Sequence, residues 1–175
     1  PGIKKDRSQI DILNKLLKLQ SQLVSSKNKA SFIQKYIQPT PLIKGIYLWG
    51  DVGRGKTFLM DLFFNTLNIK KKRRVHFHRM MNEVKNELAK IPKTEDPMKM
   101  LTKKISSNDE VLCFDEFFIE DIADAMLMYK FLEGLFDQGV TMIVTSNSHP
   151  DNLYKNGLQR ERFVKAIDLI SANTE

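Results

Sequence analysis

The 175-residue chain holds one cysteine, Cys113, so no internal disulfide framework can staple it, and such usage suits a reducing compartment. No uninterrupted apolar run approaches ~18 residues, so no membrane-spanning helix is expected. No internal repeat is legible, and the one biased tract is five basic residues, Lys70 to Arg74. Acidic side chains are in deficit, 21 Asp and Glu against 28 Lys and Arg, for a net charge of +7. That balance favours acidic partners (nucleotides, nucleic acid or anionic membrane surfaces) without choosing among them. No signal peptide is legible, and the chain opens on Pro1-Gly2 in place of a methionine; it is expected to be a processed or engineered fragment. What is present is globular in make-up, 42% hydrophobic and 28% charged, and long enough for one α/β domain with a sizeable core.

Ile46 to Leu62 reads IYLWGDVGRGKTFLMDL. Gly50, the four residues Asp51, Val52, Gly53 and Arg54, then Gly55-Lys56-Thr57, match G-x-x-x-x-G-K-[ST], the P-loop or Walker A pattern. With Phe58 these are the expected nucleotide-binding residues. Glycines permit backbone angles that a Cβ would forbid, so successive N–H groups can turn inward around phosphate oxygens. Lys56 adds a point charge at the β/γ-phosphates, and the Thr57 hydroxyl is short enough to ligate Mg²⁺. The following helix aims its positive end at the same anion. Context agrees: Ile46 to Trp49 is a short β-prone run, and Phe58, Leu59, Leu62, Phe63 and Leu67 recur at helical spacing.

Upstream, Ile12, Leu13, Leu16, Leu17, Leu23 and Val24 form an apolar stripe that predicts an amphipathic helix over 6–24. Ser25 to Lys29 reads as a polar linker, Ser31 to Tyr36 as a short capped helix, and Pro39-Thr40-Pro41 as extended chain. Downstream, Lys70 to Arg74 suggests either phosphate-backbone contact or simply a solvated loop. Val75 to His78 reads as a strand; His76 and His78 share a face, but a metal would need a third ligand, and packing or hydrogen bonding at the strand end is the better reading. Helices are expected over Arg79 to Lys90 and Pro97 to Ile105, the second opening on proline.

Val111-Leu112-Cys113-Phe114-Asp115-Glu116 is the second decisive stretch. Apolar residues run without alternation and stop at two carboxylates, as in a strand buried on both faces of a parallel sheet. Behind a P-loop this is a Walker B strand: Asp115 supports Mg²⁺, and Glu116 polarises the water that attacks the γ-phosphate. Cys113 reads as a small core residue. Asp121 to Gln138 is expected to be a helix ended by Gly139, its Met and aromatic stripe facing the core, and Thr141 to Ser146 another buried strand.

Together GIYLWGDVGRGKTFLMDLFF, VHFHRMM, VLCFDEFFIEDIADAM and LYKNGLQRERF resemble the ZapE/AFG-like family of AAA+ ATPases, almost without interruption from about Leu42 to Asp168. The resemblance implies ATP hydrolysis with Mg²⁺ in a P-loop NTPase fold of the additional-strand type. Asn147 would be the sensor-1 residue reaching the γ-phosphate or the attacking water, unless it only turns the chain into Ser148-His149-Pro150. Arg162, or Arg160, would be an arginine finger serving a neighbouring subunit, unless each merely forms a surface salt bridge. Homo-oligomers and protein partners, of the division ring or the inner membrane, are implied too. So is a bacterial cytoplasmic location, with peripheral attachment to the inner membrane as an option and the mitochondrial matrix as alternative. The family's helical lid is expected to be missing from this chain, which stops at Glu175.

The sequence thus predicts residues 1–40 as a helical extension and 41–175 as an α/β core, a parallel sheet with helices on both faces. The Thr141 to Ser146 strand should lie between the Walker A and Walker B strands, by family analogy. The expected function is a Mg²⁺-dependent ATPase with Lys56, Glu116, Asn147 and Arg162 (or Arg160) in the reaction and Thr57 and Asp115 at the metal. A nucleotide-gated, helicase-loader-like nucleic-acid-binding ATPase is the alternative. A non-enzymatic nucleotide switch is a third.

Overall fold

A computed structural model describes residues 7–29, 42–92 and 96–175. In chain order these form α1 (Arg7–Lys29), β1 (Ile46–Trp49), α2 (Lys56–Thr66), β2 (Lys72–His76), α3 (Phe77–Lys90) and α4 (Pro97–Asn108). Then follow β3 (Val111–Asp115), α5 (Ile122–Asp137), β4 (Thr141–Ser146), a 3₁₀ turn (Pro150–Asn152) and α6 (Arg160–Asn173). The expected helix at Ser31 to Tyr36 and extended Pro39 to Pro41 lie outside the described residues.

All three strand pairings are parallel and the order is β1-β4-β3-β2, so β4 does lie between the strands that carry the two nucleotide motifs. Parallel strands need crossovers, and the helices that supply them cover both faces. Side chains alternate along each strand, which divides the core in two. Ile46, Leu48, Val111, Cys113 and Ile143 meet Leu16, Leu19 and Leu23 of α1 and Leu59, Met60 and Phe63 of α2. Tyr47, Leu112, Phe114, Met142 and Val144 meet Phe77, Met80, Phe131, Leu132 and Phe163 on the other face. Gly45 enters beside β4 so closely that a Cβ there would fall 1.6 Å from the Met142 carbonyl oxygen, so only glycine fits. On the outer edge of β1, Tyr47 N–H donates to the Glu175 carbonyl at 2.9 Å and Glu175 N–H to that of Gly45 at 3.1 Å.

Two local expectations are corrected. Helix α1 runs on through Ser25 to Lys29, read as linker; no glycine or proline interrupts those residues, so nothing stops the helix. The second strand is Lys72–His76, not Val75 to His78, and Phe77 already begins α3. The reason is that its basic side chains find acceptors on both faces of the sheet. Lys72 Nζ donates to the Leu67 carbonyl at 2.7 Å and to that of Phe64, satisfying the carbonyl end of α2. Arg73 pairs with Glu83 of α3, and Arg74 with Asp61 and Asp115. Three of the five basic residues are therefore neither a loop nor a free basic surface.

Candidate nucleotide site

Helix α2 starts from a loop that only glycines can build. Gly50, Gly53 and Gly55 have φ of 141°, 83° and 79°, and the space where a Cβ would stand at Gly50 and Gly53 is open. Asp51, Val52, Arg54 and Phe58 are exposed around the loop, Gly55 sits at the start of α2, and Gln9 of α1 donates to the Arg54 carbonyl at 3.2 Å. Lys56 folds back across the loop. Its Nζ donates to the carbonyls of Gly50 (2.7 Å) and Asp51 (2.9 Å) and to Asn147 Oδ1 (3.0 Å). The lysine of the loop and the polar residue after β4, 91 positions apart, are thus in contact.

Asp115 and Glu116 come to the same place because β3 ends there. Thr57, Arg74, Val75, His76, Asp115 and Glu116 line one cleft of about 400 Å³. Asp115 is buried; its Oδ2 accepts from Arg74 Nε at 2.6 Å and its Oδ1 from Thr145 Oγ1 at 3.4 Å. Glu116 departs from the strand in the left-handed region, φ 54°, a costly conformation for a side-chain-bearing residue. It is held there by lacing between strand ends. Glu116 N–H donates to Thr145 Oγ1 (3.2 Å), Phe117 N–H to the Thr145 carbonyl (2.7 Å), and Ser146 Oγ to the Phe117 carbonyl (2.7 Å). The Glu116 carboxylate then stands out in the cleft, 3.8 Å from His76 Nδ1. Tyr47 braces the turn after β4 by donating to the Ser148 carbonyl at 3.0 Å; burial pushes its phenol up to about 12, so it stays a donor.

The donor set fits Mg²⁺ with a triphosphate. Among the described residues no three His, Cys, Asp or Glu side chains form a metal cage. Mg²⁺ needs none, because it keeps waters and is held by one or two protein groups plus phosphate oxygens. A hydroxyl (Thr57) and a carboxylate (Asp115) share the cleft, beside a loop whose backbone conformation suits an anion.

The two arginines after β4 differ. Arg160 Nη2 donates to the Asp151 carbonyl at 2.6 Å and its Nε is buried. Arg162, in the first turn of α6, is exposed. Sequence reasoning missed Asp61 and Arg74, which flank Asp115. Asp61 lies four residues after Thr57 on α2, a spacing that puts both on one helix face, but nothing local ties either to Arg74.

A parallel α/β sheet with a glycine loop at the carboxyl end of its first strand, and two acids at the end of the strand two places away, defines a P-loop nucleotide-binding protein. Solved structures agree on the fold. DnaI superposes with a TM-score of 0.63 at 20% identity, covering 99% of this chain and 86% of that one. Domain III of the Thermotoga maritima replication initiation protein DnaA gives 0.60 at 17% identity, over 95% and 61%. The AFG1-like ATPase family model matches residues 1–175, and the chain belongs to that family. It is 48% identical over 133 residues to the cell division protein ZapE of Escherichia coli K12, covering 76% of this chain and 36% of that protein. It is also 42% identical over 138 residues to lactation elevated protein 1 homolog B of Danio rerio, covering 73% and 27%. The chain therefore spans about a third of the length of these curated relatives.

Proposed function

We propose that this chain is the ATP-hydrolysing core of a Mg²⁺-dependent ATPase, residues 41–175, with residues 1–40 as an N-terminal extension whose helix α1 packs on that core. One observation carries the reading: Thr57, Asp115 and Glu116 line one cleft, beside a glycine loop whose lysine touches Asn147. Backbone N–H groups of Gly50 to Thr57 hold the phosphates, and Lys56 exchanges its carbonyl acceptors for phosphate oxygens. Thr57 and Asp115 hold Mg²⁺, which neutralises charge on the phosphates when bound. Glu116 orients the attacking water and takes its proton, while Asn147 positions that water or the γ-phosphate. Arg162, exposed where Arg160 is pinned, is the arginine finger offered to a neighbouring copy, which makes hydrolysis depend on assembly. By kinship with a cell division protein the partners are proteins of the bacterial division apparatus, and the family resemblance adds the cytoplasmic face of the inner membrane as their place. A nucleic-acid partner has less support, since Lys72, Arg73 and Arg74 are already paired within the fold.

Glu116→Gln tests the reading in the full-length protein. ATP affinity should persist while steady-state phosphate release falls ~10²–10⁴-fold, the usual worth of a positioned base. Unchanged turnover removes Glu116 from the role.

A further inference from the structure

We infer that Arg74 is a positioning residue for the metal site, a strut that sets the spacing between Thr57 on α2 and Asp115 on β3. The inference rests on the Mg²⁺-nucleotide reading of the cleft.

The strut is built from three side chains. Asp61 follows Thr57 by one helical turn on α2, so whatever fixes Asp61 fixes the rotation of the helix that presents the Thr57 hydroxyl. Arg74 stands on β2 directly across from Cys113, two residues before the His76–Asp115 end of the ladder, and on the α2 side of the sheet. Its guanidinium reaches Asp61 through Nη1 and Asp115 Oδ2 through Nε. A planar fork can hold two carboxylates in fixed directions, which a point charge does less well. Asp115 Oδ2 is thereby engaged, and Oδ1, with only a long 3.4 Å contact from Thr145, is the oxygen left for the metal's water shell. The side chains of Arg74 and Asp115 are 22% and 8% exposed, so the pair is poorly screened and geometrically held, unlike an ordinary surface ion pair.

A strut and a mere counter-charge predict opposite signs. If Arg74 only supplied charge, its removal would deepen the negative potential of the cleft and tighten Mg²⁺. If it sets geometry, its removal lets Asp115 and α2 drift, and Mg²⁺ weakens by the ~10–100-fold typical of outer-shell partners.

The experiment measures the affinity of full-length protein for a fluorescent ADP analogue, in Mg²⁺ and in EDTA, with no turnover involved. In the wild type Mg²⁺ should tighten binding. In Arg74→Gln that Mg²⁺-dependent gain should shrink by about tenfold or more while EDTA affinity changes little, and Asp61→Asn should lose part of it. Should Arg74→Gln fail to fold, Arg74→Lys keeps the charge without the fork and should show the same loss. A gain equal to or larger than wild type in whichever Arg74 variant folds, or an unchanged gain in Asp61→Asn, overturns the strut alone. No gain in the wild type overturns the Mg²⁺-nucleotide reading itself, and the strut with it.

Discussion

Lys56 and Arg74 are cations within one site, and they are spent differently. Lys56 rests on two backbone carbonyls of the glycine loop and on the amide oxygen of Asn147 after β4, all neutral acceptors. Arg74 rests on two carboxylates at the end of the sheet, one of them buried. A phosphate can displace these neutral acceptors, because it sets a full negative charge opposite the ammonium where a carbonyl or amide oxygen offers only a dipole. It cannot draw a guanidinium away from two acids without stranding them. One region therefore stays available for an anion, while the other is committed to holding the fold in register. Positive charge marks a binding site only where its present partners are weaker than the ligand.

The largest effect that tests this contrast is on stability. Arg74→Ala leaves the buried Asp115 carboxylate with only the long Thr145 contact. Breaking such a pair from one side costs about 3–5 kcal/mol for fully buried groups, and partial exposure of Arg74 points to about 3 kcal/mol. Urea unfolding should show a lower midpoint at unchanged slope. A loss below about 1 kcal/mol would return Arg74 to the class of ordinary surface cations.

Lys56→Ala should behave the other way round. Its three bonds go to neutral, solvent-near acceptors, so the stability loss should stay within about 1 kcal/mol. ATP affinity should fall about 10–100-fold, the value of one strong charge-assisted contact. Titration with a fluorescent nucleotide beside an unfolding curve reads both numbers on one sample. If Lys56→Ala destabilised the fold as much as Arg74→Ala, the two cations would not differ in kind.

The same contrast explains what could be read in the residues. The loop from Gly50 to Thr57, the strands Ile46–Trp49 and Thr141–Ser146, and the acids ending β3 were legible because each obeys a rule confined to a few neighbouring positions. The place of β4 inside the sheet followed from kinship, not from any local pattern. The role of Lys72 to Arg74 was illegible. A basic run has no preference for strand, and its partners lie 5 to 41 residues away, on α2 and its C-cap, α3 and β3. Likewise Arg160 and Arg162 are equivalent as letters, and only the fold of the segment after β4 brings the Asp151 carbonyl to one of them.

The smallest effect concerns a cation pair outside the site. Glu87 on α3 accepts from Lys104 of α4 at 2.7 Å and from Lys90 at 2.9 Å. Those lysines, Lys104 foremost, hold its carboxyl down to about 2, well below its ordinary value of 4.5. A carboxyl depressed by folding contributes stability that is complete above pH 4.5 and is lost as pH falls towards 2. Glu87→Gln has nothing to titrate there, so wild type and variant should differ at pH 6 and converge by pH 2 in chemical denaturation. Both lysines are largely solvent-exposed, so 1 M salt, with a Debye length near 3 Å, should erase most of the difference. The effect of Arg74→Ala should survive the same salt, since water and ions reach that pair far less. If salt weakened both alike, the half-buried arginine would be no better shielded than the surface lysines, and its commitment to the fold would have to be argued on other grounds.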